Sequence, residues 1–146
     1  MYYRTKKVLL ENQIVKSEDF TAADWIKAGC TVTPNDAIAP DGTLSADKIV
    51  FESTSRQIYQ LIPSITTLYT FSVYVKGTAG QTISIGNGDA VNSFDTLTGQ
   101  WQRIKIITSI YAGRLVIHNY SGNALVIWLW GAQANLGSLM EYLKKT

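Results

Sequence analysis

An all-β, antiparallel β-sandwich is the fold class this sequence predicts, and three observations predict it. The stretch Tyr69-Thr70-Phe71-Ser72-Val73-Tyr74-Val75-Lys76 alternates strictly. Tyr69, Phe71, Val73 and Val75 fall on one face and Thr70, Ser72, Tyr74 and Lys76 on the other, the period of two that a half-buried strand requires. Short β-type runs recur at 48–52, 57–62, 82–85, 102–110, 114–120 and 124–130. The breaks between them are Pro40-Asp41-Gly42, Gly77-Thr78-Ala79-Gly80, Gly86-Asn87-Gly88-Asp89, Thr98-Gly99, Ala112-Gly113 and Ser121-Gly122-Asn123. Gly, Asn and Asp tolerate the positive φ angles of tight turns. Seven or more short strands at this spacing predict a sandwich, not a parallel α/β sheet.

Each element has its own warrant. Residues 1–8 carry Arg4, Lys6 and Lys7 and form a basic N-terminal arm. Between 17 and 28 at most a short helical turn is predicted, near residues 20–28. Thr21 would cap it, Asp24 follows three residues on, and Phe20 would pack against Trp25. Cys30 follows Gly29 and precedes a strand, a common place for a small buried hydrophobe. Asp41-Gly42-Thr43 makes a turn, and Asp47 stands at a strand entry, where a carboxylate accepts exposed backbone N–H groups. Trp101 follows Thr98-Gly99 and pins the register of the strand it starts. In the late strand Val126, Trp128 and Trp130 share one face, while Leu125, Ile127 and Leu129 share the other. Both faces are apolar, so this strand is central in its sheet, or its second face meets a partner chain. Lys144 and Lys145 mark a basic tail, 144–146, leaving 9–143 as one domain.

Size and charge narrow the function. A chain of 146 residues is one ordinary domain with room for a sizeable core. The longest apolar run, 124–130, is far short of the ~18 residues of a membrane span, so no membrane insertion is expected. Val8-Leu9-Leu10 is too short for a signal-peptide core, so synthesis in the cytoplasm without secretion is expected. Five of the 13 basic residues sit at the two ends, and all 11 acids lie between them. A weakly acidic body is a poor partner for nucleic acid, which needs many convergent cations. The basic ends are either docking groups for an acidic neighbour or solvated termini. One Cys and one His exclude a disulfide framework and a His/Cys zinc site within the chain. No nucleophile elbow, phosphate-cradling loop or HExxH is present. His118, in a strand, reads as a surface or rim residue, and no enzyme is expected.

The order of segments resembles a known family. Ser17-Glu18-Asp19-Phe20, Trp25, Gly29, Thr31-Val32-Thr33, Ala39-Pro40-Asp41-Gly42-Thr43 and Ala46-Asp47-Lys48-Ile49 make the first half of the pattern. The alternating strand from Tyr69, Gly99-Gln100-Trp101-Gln102-Arg103-Ile104, Trp128-Leu129-Trp130-Gly131-Ala132-Gln133 and Gly137-Ser138 before Tyr142 complete it. Together they resemble the carbohydrate-binding-module-like jelly-roll domain of bacteriophage virion proteins, which include tail fibres, tailspikes and capsid accessory proteins.

The resemblance implies a sandwich of jelly-roll type and two functions. The first is a non-enzymatic virion structural protein, an accessory or decoration protein of capsid or tail that acts through contacts with other virion proteins. Its expected contact residues are Arg4, Lys6, Lys7, Trp128, Trp130, Lys144 and Lys145, and its expected assembly is a homo-oligomer, a trimer by analogy. The alternative is a glycan-binding receptor-recognition module of a phage tail. Such modules stack an aromatic face on sugar C–H groups while amides bond hydroxyls. That implies Tyr74, Trp101, Tyr111 and Tyr120 with Asn119 as the sugar site. Related jelly rolls often carry a structural calcium, for which Asp19, Asp41 and Asp47 are the candidate ligands. The late strand offers no acidic residue to close such a site, and calcium is the one cofactor the resemblance leaves open.

Overall fold

The computed structural model describes residues 12–52, 56–62, 65–87, 92–110 and 114–146. Ten strands follow one another among these residues: β1 (Trp25–Ala28), β2 (Cys30–Ile38), β3 (Leu44–Phe51), β4 (Arg56–Leu61), β5 (Ile65–Gly77), β6 (Thr82–Gly86), β7 (Asn92–Thr96), β8 (Gln102–Ile110), β9 (Arg114–Asn119) and β10 (Leu125–Leu136). They form two five-stranded sheets, sheet I in the order β1-β4-β9-β6-β7 and sheet II in the order β2-β3-β10-β5-β8. Every pairing is antiparallel. From β3 onward the chain passes from one sheet to the other at every connection except β6–β7, which gives the sandwich its jelly-roll course.

The core lies between the sheets because each strand turns its apolar alternate inward. Tyr69, Phe71, Val73 and Val75 of β5 are buried there, opposite Ile104 and Ile106 of β8. Ile83, Ile85, Leu115, Ile117 and Ile58 meet them from sheet I. Leu125, Ile127 and Leu129 fill the middle, because β10 is the central strand of sheet II. The central position is one of the two readings of its doubly apolar sequence, and β10 occupies it.

Near residues 20–28, where at most a short helical turn is expected, the chain forms turns and a strand. The Ala22 N–H donates to Asp19 O at 3.4 Å, the Trp25 N–H donates to Ala22 O at 3.0 Å, and Trp25–Ala28 then pairs with β4. Thr21 caps no helix, since its N–H and hydroxyl both donate to the Asp19 carboxylate. Instead the buried Asp47 carboxylate accepts the Phe20 N–H at 2.8 Å and fixes this segment against β3. The expected ring contact does form, with Phe20 and Trp25 centroids 4.7 Å apart.

Residues after β10 turn back across the outward side of sheet II. Gln133, buried, accepts the Leu143 N–H at 2.7 Å and donates to Met140 O and Glu141 O. Asn12 donates to Ala132 O and Leu143 O, and the Ser17 N–H donates to Lys145 O. Lys144 and Lys145 therefore belong to a seam with residues 16–18, where Lys144 also pairs with Glu18 at 3.4 Å.

Candidate functional site

Cross-strand partners point to the same side of a sheet, so the register of sheet I builds its outward face row by row. One row runs Ala28, Gln57, His118, Ser84, Phe94 across all five strands. The next holds Ile26, Tyr59, Val116 and Gly86, and Leu61 stands opposite Arg114 beyond it. Tyr120, just past β9, continues the outward alternation of Arg114, Val116 and His118. At ~4.8 Å per strand step, the row of five spans about 19 Å.

The rings gather at one end of this face. Tyr120 stands 44% exposed and Phe94 63% exposed, with centroids 5.7 Å apart. The His118 ring packs edge-on against Tyr120 at 3.6 Å. Between His118 and Phe94 lies Ser84, buried, whose hydroxyl has no hydrogen-bond partner among the described residues. Toward the other end the Arg114 guanidinium lies over the Tyr59 ring at 5.5 Å, a cation–π contact. None of the described outward positions on these rows carries a carboxylate. The face therefore offers exposed ring surface, an amide, an imidazole and a guanidinium, the means of holding a polar ligand with apolar faces.

Sheet II presents a second aromatic group, and it is built differently. Trp130 is only 5% exposed, with Tyr142 at 4.8 Å and Tyr74 at 5.5 Å, on a floor of Ala39 and Ala46. Every described indole N–H in this group is occupied: Trp130 donates to Ser45 Oγ, Trp128 to Asp36, and Trp101 to Ile38 O. The Tyr142 hydroxyl donates to Glu18 and bonds Ser17, and burial holds its pKa well above the usual phenol value. Gly131, at φ 63° within a register shift of β10, lets the chain pass Tyr74 and Tyr142, whose ring atoms would lie 3.2–3.4 Å from any Cβ there.

The residues expected to form one sugar site are thus divided between opposite sides of the sandwich. Tyr120 is on sheet I; Tyr74 and Trp101 are packed on sheet II; Tyr111 lies outside the described residues. Asn119 is inward and buried, and its amide is consumed by its own turn, accepting from Ser121 and donating to Asn123 O. Phe94, Tyr59, Gln57, Ser84 and Arg114 escaped the sequence reading. Lining up the outward alternates of β4 and β9, Gln57/Tyr59 and Arg114/His118/Tyr120, is the signal that would have found part of this set.

The expected partner residues fare similarly. The Trp130 surface is covered by the chain's own Tyr142 and Tyr74, Trp128 is tied to Asp36, and Lys144 and Lys145 sit in the terminal seam. Arg4, Lys6 and Lys7 lie outside the described residues.

The candidate calcium ligands do not fit a metal. Both Asp47 oxygens accept backbone N–H groups, from Phe20 at 2.8 Å and Asn35 at 2.9 Å, while burial pushes this carboxyl above its ordinary pKa. Asp41 serves its own turn, accepting from Thr43, which holds its pKa low. Asp19 and Asp47 line a groove of about 480 Å³, but Lys16, Lys144 and Lys145 line it too, which disfavours a divalent cation. No group of three His, Cys, Asp or Glu among the described residues is placed to hold a metal. The Cys30 thiol, half-buried and donating to Gln57 O, is pushed up to about 11 by burial and is a poor nucleophile.

Comparison with known proteins places the fold. No protein-family model and no curated protein sequence matches the chain. Among solved structures it is similar to the CBM22-1 xylan-binding domain from Paenibacillus barcinonensis Xyn10C, with a TM-score of 0.61 and 17% identity over 90% of this chain and 96% of that one. It is also similar to TmCBM61 in complex with β-1,4-galactotriose, with a TM-score of 0.53 and 14% identity over 87% of this chain and 99% of that one. A third neighbour is the enzymatically active domain of bacteriophage CBA120 tailspike protein 4, with a TM-score of 0.57 and 15% identity over 86% of this chain and 21% of that one. The jelly-roll architecture is thus shared with carbohydrate-binding modules of several families.

Proposed function

We propose that this chain is a non-catalytic glycan-binding module and that its binding platform is the outward face of sheet I. The observation that carries this reading is the pair Phe94 and Tyr120, 63% and 44% exposed and 5.7 Å apart, at the end of a row of hydrogen-bonding side chains. Exposed rings held beside one another cost solvation, and they mark a surface that meets a ligand. Sugar rings suit it, because their C–H faces stack on aromatic faces while their hydroxyls bond amide, imidazole and hydroxyl groups. Gln57 and His118 stand side by side along the row, and buried Ser84 separates them from Phe94. A row about 19 Å long suits an oligosaccharide rather than a single sugar. The likeness to modules whose structures contain β-1,4-galactotriose, or that bind xylan, supports a β-linked chain as the first ligand to try.

The finer reading puts this module on a bacteriophage virion, as a receptor-recognition part of a tail. Its support is the segment pattern of the sequence together with the likeness to the CBA120 tailspike domain. The decoration role through protein contacts has weaker support, because the aromatic surface it relied on is packed under the chain's own segments.

Glycan-array binding followed by calorimetry with xylohexaose and β-1,4-galactotriose tests the proposal. A hit that Phe94→Ala and Tyr120→Ala each weaken at least about tenfold (~1.4 kcal/mol) is expected. A folded wild-type chain that binds no glycan on the array, or a hit indifferent to both substitutions, overturns it.

A further inference from the structure

The outward side of sheet II carries a feature that the platform on sheet I does not use. Trp128 stands directly between Lys48 on β3 and Lys76 on β5. Arg103 on β8 is opposite Tyr74, and Lys105 is opposite Ser72. Strand spacing puts the Lys48 and Lys76 backbones about 10 Å apart, and the diagonal step from Lys76 to Arg103 is about 7–8 Å. These four are half of the eight cations that lie away from the chain ends. None of them makes an ion pair among the described residues.

Arg103 is also held in place. Its Nη2 donates to Ser72 Oγ at 3.2 Å and its guanidinium lies 5.4 Å from the Tyr74 ring centroid. Its Nε is buried and has no acceptor among the described residues. A guanidinium held between a ring and a hydroxyl keeps its remaining Nη donors in one orientation, suited to a carboxylate.

We infer that this track of Lys48, Lys76, Arg103 and Lys105 around Trp128 is a second docking surface, for a uronate-bearing acidic polysaccharide. Charge complementarity selects a polyanion, and three features select a polyuronate among polyanions. Four cations are few for nucleic acid, whose tight binders neutralise more phosphates. The Asp36 carboxylate, bonded to the Trp128 indole, stands against a densely charged backbone. The aromatic groups between the cations are half-buried and suit the C–H edge of a sugar better than a base inserted flat. This surface is on the opposite side of the sandwich from the proposed platform and does not depend on it.

The test is affinity electrophoresis of the full chain in gels containing polygalacturonate, with dextran sulfate, neutral xylan and a 20-nucleotide single-stranded DNA as competitors. Retention by polygalacturonate that weakens with salt is expected. The triple variant Lys48→Gln/Lys76→Gln/Lys105→Gln should lose at least about tenfold in affinity, and Phe94→Ala should keep it. Arg103→Lys, which retains the charge without the guanidinium, should fall between wild type and the triple variant. Thermal unfolding of each variant separates lost binding from lost folding. No retention by polygalacturonate, or retention unchanged in the folded triple variant, overturns the inference. Stronger competition by DNA or dextran sulfate than by free polygalacturonate also overturns it, assigning the surface to phosphate or sulfate.

Discussion

The outward faces of the two sheets carry similar numbers of rings and put them to different uses. On sheet II, Trp130 is enclosed by Tyr74, Tyr142, Ala39 and Ala46, so its rings work as a small second core. On sheet I, Phe94 and Tyr120 touch one another, and Tyr120 also touches His118, but both stay exposed. The difference lies in what crosses each face. The segment after β10 returns over sheet II, held by Gln133 and Asn135, whereas none of the described segments returns over the Phe94–Tyr120 end of sheet I. An aromatic cluster thus becomes core or platform according to whether its own chain supplies a cover.

That contrast can be broken in order of expected effect. Trp130→Ala should cost about 3–5 kcal/mol of stability, the penalty for emptying a large ring from a packed site; urea unfolding reads it. Phe94→Ala should change stability by less than ~1 kcal/mol in the same assay. A loss under ~1 kcal/mol for Trp130→Ala would erase the distinction between the faces. Next comes binding: the double variant Phe94→Ala/Tyr120→Ala should lose more than about tenfold in glycan affinity by calorimetry, while Trp128→Phe should leave it unchanged.

Smaller in scale is Gly131→Ala, which puts a side chain at φ 63° against the Tyr74 ring. It should lower stability by about 1–2 kcal/mol and the melting temperature with it. The weakest effect is a pH dependence. Burial raises the Asp47 carboxyl in the folded state above its unfolded value, so the unfolded chain ionises it more readily. The sign follows: its contribution favours folding below the unfolded pKa and is lost as pH rises through the folded one. Asp47→Asn should therefore fall further below wild type at pH 3.5 than at pH 7, apart from a pH-independent cost of placing an amide donor near two N–H groups. An equal difference at both pH values would remove burial as the dominant influence on Asp47.

Much of the sandwich was legible locally. The alternation at 69–76 gave β5 its inward face, and the two apolar faces of 124–130 left the central place that β10 takes in sheet II as one of two readings. Strands β1 and β7 were not legible. Trp-Ile-Lys-Ala and Asn-Ser-Phe-Asp-Thr are too short for a period to assert itself, and both lie at the edges of sheet I, where pairing with β4 and β6 decides them. The sugar site was misassembled for a related reason. Tyr74, Trp101 and Tyr120 all read as outward or loop aromatics, and nothing local distinguishes the two outward sides.

By itself, then, the amino-acid order determined an antiparallel sandwich, the alternating face of β5, and the contact between Phe20 and Trp25. Those are consequences of period and of near neighbours, which hold whatever the rest of the chain does. Which strands adjoin, which rings share a face and which face is covered were decided only by the tertiary structure. Each depends on partners tens of residues away, such as Gln57 with His118 or Ser17 with Tyr142. Side-chain alternation says that a residue points outward; long-range pairing alone says what it will meet there.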